Sequence, residues 1–320
     1  MTLPFQILLF LVGLTLIVVG ADVLVDGASS VARRFGISEF VIGLTIVGMG
    51  TSAPEMVVSF LGAIKGNADI AVGNVLGSNI FNTLLVLGLT AVIMPIPITR
   101  NNLRHDIPVN LAVTVLLVLF GMNATLLGIG DADRLSRPEG AVLLALFIGY
   151  MIYSFKNDSS PAEGAPEKKI RPGIAVLMIL GGLAALVGGG ELFVDSATGI
   201  AKNLGISDKF IAITILAGGT SMPELATCVV AAAKKKGGLA LGNILGSNVF
   251  NILLILGGSA LIHPLSFSSM NPVDAGVLVL SAVLVLAASF LFRRGQLDRA
   301  DGCLLLLCEA AYFAWLCIHL

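Results

Sequence analysis

The chain has 320 residues, 56% of them hydrophobic and only 12% charged, with a net charge of -1 and a mean hydropathy of +0.97. That balance excludes an ordinary soluble globule, and a near-neutral charge is no argument for nucleic acid, which is not expected as a partner. The apolar runs have the length of helices rather than of short alternating barrel strands, so the expected fold class is an all-α integral membrane protein.

In chain order, hydropathy and helix breakers predict spans near 4–28, 39–64, 69–94, 107–122, 138–155, 173–199, 209–233, 239–262, 273–292 and 302–319. The opening Met1-Thr2-Leu3-Pro4-Phe5 lacks the positive charge that begins a signal peptide, and it is read as the start of the first retained span. With an external N-terminus, alternation puts fourteen Lys and Arg on the cytoplasmic side, among them Arg33, Arg34, Lys168, Lys169 and Lys234 to Lys236. Five remain outside: Lys65, Arg134, Arg137, Lys202 and Lys209. The positive-inside rule then places both termini outside, in a plasma (inner) membrane with the bilayer as surroundings.

Five spans fall in residues 1–155 and five in 173–320, on either side of a polar, Pro-containing linker at 156–172 that is expected in the cytoplasm. An odd-numbered repeat unit inserts its second copy upside down. Ten transmembrane helices as two inverted five-helix repeats are therefore expected.

Two phrases mark the repeat. Gly50-Thr51-Ser52-Ala53-Pro54-Glu55 returns as Gly219-Thr220-Ser221-Met222-Pro223-Glu224, and the Gly73 to Asn82 phrase GNVLGSNIFN returns at Gly242 to Asn251 as GNILGSNVFN, both at an offset of 169. Pro54 has no N–H for the carbonyl of Gly50, and Pro223 has none for Gly219, so each break frees backbone oxygen inside the membrane. Thr51 and Glu55, like Thr220 and Glu224, are four apart and share a helix face. Ser78 and Asn82, and their copies Ser247 and Asn251, do the same on the following span. Inverting one repeat on the other gathers two Glu, two Thr, four Ser and two Asn near the midplane. Carboxylates and neutral oxygens with no His or Cys suit Ca²⁺ or Na⁺, not Zn²⁺ or copper. An ionised residue at the centre of a membrane helix costs about 3 kcal/mol, which argues against two glutamates kept only as helix glue. For Ser52, Ser221, Asn74 and Asn243, ligation and helix–helix hydrogen bonding explain the sequence equally well.

A weaker repeat matches Asp22 and Asp26 to Glu191 and Asp195, again at an offset of 169. These sit towards span ends, where headgroup water or backbone N–H contact is expected. Cys228, Cys303, Cys308 and Cys317 lack metal spacing and are read as small apolar residues. No cofactor is expected, nor an enzyme activity.

The two GTSxPE phrases, each followed by GNxxGSNxFN, resemble the sodium/calcium exchangers of the cation/calcium antiporter superfamily, in its prokaryotic form. The resemblance implies Ca²⁺ ligation by Glu55 and Glu224 with Thr51 and Thr220 through backbone oxygen. It implies Na⁺ sites at Ser52, Ser78, Ser221, Ser247 and the backbone of Gly48 and Ala217, with Asn82 and Asn251 flanking the centre. It also implies that the first and sixth spans slide to alternate access. Asn251 stands where potassium-dependent relatives carry Asp, and GTSxPE replaces the GNxxE of proton-coupled relatives, so Na⁺ coupling without K⁺ is favoured. The expected activity is Na⁺/Ca²⁺ antiport by alternating access. The rivals are an H⁺/Ca²⁺ or other divalent antiporter of the same fold, a passive cation channel and a non-transporting scaffold. The oligomeric state is left open, a monomer being compatible.

Overall fold

The first helix, α1 (Leu3–Phe35), carries Pro4 in its first turn, where a missing N–H breaks no bond, and stops at Gly36 in the left-handed conformation. Its last turn holds Arg33 and Arg34, cations that suit a helix C-terminus. In this computed structural model, residues 2–129, 131–157, 170–205, 217–267, 270–291 and 295–319 are described. Following α1 are α2 (Glu39–Thr51) and α3 (Ala53–Ile64), then α4 (Ala68–Ile93), α5 (Asn102–Gly121), the short α6 (Asn123–Leu127) and α7 (Arg137–Lys156). The second half comprises α8 (Pro172–Asn203), α9 (Ala217–Gly219), α10 (Met222–Ala233), α11 (Gly237–Ile262), α12 (Pro272–Leu291) and α13 (Arg299–His319).

Among the described residues eight helices are long and apolar enough to cross a membrane, and a ninth span results if α2 and α3, bent by 49°, count as one. The protein is thus an all-helical, multi-pass membrane protein. Of the span predicted at 209–233, only α9 and α10 fall within the described residues. The helices at 4–28 and 173–199 prove longer than predicted, at 33 and 32 residues. Hydropathy marks where lipid ends, whereas a helix continues through charged residues until a breaker such as Gly36 stops it.

α1 and α8 pack antiparallel along a row of glycines. A Cβ on Gly13 would lie 2.7 Å from the Phe193 nitrogen and 2.9 Å from the Gly189 carbonyl oxygen. One on Gly20 would meet Gly182 O at 2.9 Å, and one on Gly27 would meet Ala175 O at 3.0 Å. Small residues let these backbones touch, which in lipid replaces the missing hydrophobic drive for association. The contact is reciprocal, since Gly182 and Gly189 are the 169-offset copies of Gly13 and Gly20.

α11 is the most enclosed helix, with 94% of its apolar window buried. Gly242 and Gly246 press against the backbone of Phe40 and Leu44 in α2, leaving no room for a side chain. Their first-half copies, Gly73 and Gly77, meet nothing within 4 Å among the described residues. Two short antiparallel pairs tie interhelical loops together: β1 (Ile96–Pro97) with β4 (Gln296–Leu297), and β2 (Arg134–Leu135) with β3 (Leu265–Ser266). Each joins one half of the chain to the other.

Candidate functional site

Both GTSxPE phrases break their helices where the prolines require. Ser52 (φ -82°, ψ 10°) separates α2 from α3, and Ser221 (φ -88°, ψ 7°) precedes α10 in the same conformation. Each proline enters the first turn of the helix that follows, and each glutamate lies in that turn as well. Glu55 and Glu224 thus stand at helix N-termini, where free N–H groups and the helix dipole favour negative charge. Both are wholly buried, at 0% exposure.

The two glutamates are held by exchanged partners. Ser52 Oγ donates to Glu224 Oε1 at 2.9 Å, and Ser221 Oγ donates to Glu55 Oε1 at 3.1 Å. Ser78 Oγ in α4 reaches Glu55 Oε1 at 3.2 Å, and Ser247 Oγ in α11 reaches Glu224 Oε1 at 3.4 Å and the Gly48 carbonyl at 3.3 Å. Thr51 Oγ1 donates to Asn243 Oδ1 at 3.2 Å and also lies 3.3 Å from Gly48 O, while Thr220 Oγ1 donates to Asn74 Oδ1 at 3.4 Å. Every one of these side-chain pairs maps onto its twin at the 169 offset. Asn74 also donates to the Glu55 carbonyl at 3.2 Å and to Ser59 Oγ at 3.1 Å. Its copy Asn243 donates to Cys228 Sγ at 3.2 Å, so Cys228 is a buried neighbour of the site.

What the glutamates lack is as telling. Oε2 of Glu55 and Oε2 of Glu224 are buried with no hydrogen-bond partner, as are both amide atoms of Asn82 and Oδ1 of Asn251. Unsatisfied buried oxygens are costly, and these four come from two residue pairs related by the 169 offset. Among the described residues no three His, Cys, Asp or Glu come together, so the set is one of oxygens with two carboxylates.

Sequence reasoning missed the asparagine chain beside these groups. Asn251 Nδ2 donates to Asn79 Oδ1 at 2.9 Å, Asn79 Nδ2 to Asn248 O at 3.2 Å, and Asn248 Nδ2 to Thr83 Oγ1 at 2.8 Å. Asn79 and Asn248 lie within the repeated GSNxFN phrase, which was the one available signal. Equally unforeseen, Asn82 and Asn251 each open a π-helical turn, over Asn82–Val86 and Asn251–Leu256. Such turns are frequent at functional sites because they re-aim side chains and carbonyls. Ala217 begins α9.

A cavity of about 500 Å³ reaches the site from one side, lined by Pro54, Val57, Glu191, Asp195, Thr220 and Pro223 among others. Glu191 and Asp195 belong to the end of α8 that packs near Gly13. At the other end of the α1–α8 pair, Lys234 Nζ lies 2.8 Å from Asp22 Oδ1 and 2.6 Å from Asp26 Oδ1. The two aspartates are therefore ion-paired to a lysine of the other half, not merely solvated as expected.

The chain matches the family described as sodium/calcium exchanger protein over residues 5–156 and 174–318. It is 40% identical to the putative antiporter CaxA of Alkalimonas amylolytica over 94% of this chain and 95% of that one. Identity to the sodium/calcium exchanger MaX1 of Methanosarcina acetivorans is 32% over 95% of this chain and 96% of that one. Among solved structures, the sodium-calcium exchanger NCX_Mj soaked with 10 mM Na⁺ and zero Ca²⁺ superimposes with a TM-score of 0.84 at 35% identity. That match covers 98% of this chain and 99% of the other.

Proposed function

The chain belongs to the sodium/calcium exchanger family, and on that footing we propose that it is an antiporter exchanging Na⁺ for Ca²⁺ through one buried site. The observation that carries this reading is the pair of wholly buried glutamates whose Oε1 atoms are bound by exchanged serines and whose Oε2 atoms are free. Two ionised carboxylates neutralise one Ca²⁺. Around it, Glu55 and Glu224 supply carboxylate oxygen, and Thr51 and Thr220 backbone oxygen. Na⁺ is bound beside the same glutamates by Ser52, Ser78, Ser221, Ser247 and the carbonyls of Gly48 and Ala217, with Asn82 and Asn251 at the flank. Since the carboxylates are shared, monovalent and divalent occupants compete, which is what exchange requires.

The architecture in this reading is ten transmembrane helices in two inverted repeats, 1–155 and 173–320, joined by a linker at 156–172. Its support is the antiparallel α1–α8 contact and the twin hydrogen bonds, because a two-fold axis makes residue i meet the copy of j whenever j meets the copy of i. Access alternates. The cavity lined by Glu191 and Asp195 opens outward under the positive-inside orientation, with both termini outside an inner membrane and the linker in the cytoplasm. The Lys234 ion pairs hold the inward end of α1 against α10.

The test is a gradient swap in proteoliposomes. Na⁺-loaded vesicles should accumulate Ca²⁺ only while the Na⁺ gradient lasts, and neither a K⁺ nor a pH gradient should replace it. Ca²⁺ uptake driven by the pH gradient would favour proton coupling, and flux with no opposing gradient would favour a channel.

A further inference from the structure

Glu309 lies at the middle of α13 and has no part in the site described above. Its 169-offset position is Gly140, so the repeat did not produce it. Its Oε2 is buried, and no hydrogen bond or ion pair satisfies it. It borders a second cavity of about 460 Å³ between α4, α9 and α13, whose described walls include Ile80, Phe81, Leu306, Tyr312 and Phe313. Gly77 and Ala310 are exposed at its rim.

We propose that this cavity binds a hydrophobic organic cation, an amine or quaternary ammonium that arrives through the lipid. A carboxylate in the middle of a membrane helix is expensive and marks a functional place by default. Ionised, it calls for a cation, and the donor set decides which kind. A hard inorganic ion wants about 6–8 oxygens, whereas the walls offer one carboxylate and the Tyr312 hydroxyl, already donating to Asp274 at 2.8 Å. Phe81, Tyr312 and Phe313 instead supply aromatic walls, and aromatic rings attract ammonium groups and shield their alkyl substituents. The size falls in the range of small-molecule sites, which are mostly apolar with a few placed polar groups. Phe81 precedes Asn82, and a Cβ on Gly218 would lie 3.3 Å from its ring, so an occupant presses on residues adjoining the ion site.

The chain's single tryptophan, Trp315, lies outside the lining of this cavity but stacks on its wall residue Tyr312 with centroids 6.3 Å apart, so it senses an occupant through that ring. The full-length protein in nanodiscs is titrated with a phenylalkyl-trimethylammonium and, separately, with its uncharged tert-butyl isostere, following Trp315 fluorescence. Saturable binding of the ammonium is expected, at least tenfold tighter than the isostere. Glu309→Gln should weaken it at least tenfold and Glu309→Asp should retain it, both variants keeping wild-type melting behaviour. Equal binding of ammonium and isostere, unchanged binding to Glu309→Gln, or no saturable binding to the wild type overturns the proposal. None of these readouts depends on Na⁺/Ca²⁺ exchange.

Discussion

Replacing Glu224 by Gln tests the charge balance on which the exchange reading depends. The side chain is 0% exposed, and its Oε1 accepts from Ser52 and Ser247, bonds that an amide oxygen can keep. Shape and packing therefore change little. Charge does change: with Ca²⁺ bound, two carboxylates leave the site neutral, whereas one leaves it at +1 among wholly buried groups. Removing one partner of a buried ion pair costs about 3–5 kcal/mol. At about 1.4 kcal/mol per tenfold, Ca²⁺ affinity should fall by roughly two to three and a half orders of magnitude. The assay is radioactive Ca²⁺ uptake into Na⁺-loaded proteoliposomes over a range of Ca²⁺ concentrations, paired with melting in detergent. Ca²⁺ at a hundredfold over its dissociation constant adds about 2.7 kcal/mol to wild-type stability, and the variant should lose that gain at the same concentration. An apparent affinity within threefold of wild type, with the Ca²⁺-dependent melting shift intact, would refute the reasoning.

Ser52→Ala and Ser221→Ala remove matching donors to the two glutamates, each a charge-assisted bond worth about 1.5–3 kcal/mol. Both should weaken Ca²⁺-dependent uptake at least tenfold, and to within threefold of one another, since the two bonds are twins. A large difference between them would speak against the two-fold relation. Gly246→Ala puts a Cβ 2.6 Å from the Leu44 Cα, a backbone contact that cannot yield, and overpacking of this kind costs about 1–3 kcal/mol. Its melting temperature should fall, while Gly181→Ala, which meets nothing within 4 Å, should not lower stability. Lys234 titrates above the ordinary lysine range: burial works against the charge, but Asp22 and Asp26 outweigh it. A raised value means that the pairing stabilises the fold fully below the ordinary lysine pKa and is lost only as pH rises through the raised one. Lys234→Gln should therefore be slightly less stable than wild type at neutral pH, by no more than about 1 kcal/mol for so exposed a pair. The two curves should converge in strong alkali, and a constant gap would contradict the assignment.

The residues of the candidate site stood out in the sequence because the cause of their cost is local. A proline four residues beyond Gly50 or Gly219 strips a carbonyl of its donor wherever the chain goes, and a glutamate next to it inside an apolar run is conspicuous by its free-energy cost alone. Hydropathy likewise located the long helices, though not their ends, because α1 continues past the apolar stretch to Gly36. The partners were not legible in this way. Ser52 meets Glu224 across 172 positions, Thr51 meets Asn243 across 192, and Lys234 meets Asp26 across 208. No periodicity within a helix encodes such pairs.

The π turns at Asn82 and Asn251 and the loop pairings of β1 with β4 and β2 with β3 belong to the same class. The loop pairings join segments distant in the chain, and the π turns shift the register within a helix, neither of which hydropathy records. Glu309 shows the same divide from the other side. The sequence places a carboxylate in an apolar helix, but only packing shows it unpartnered, because α13 leaves a cavity where a neighbour would have answered it. By itself the sequence determined which oxygens must find a partner, since that follows from covalent structure and the cost of polarity in lipid. The tertiary structure decided which oxygens found a partner within the protein and which stayed without one, since that depends on how closely helices approach.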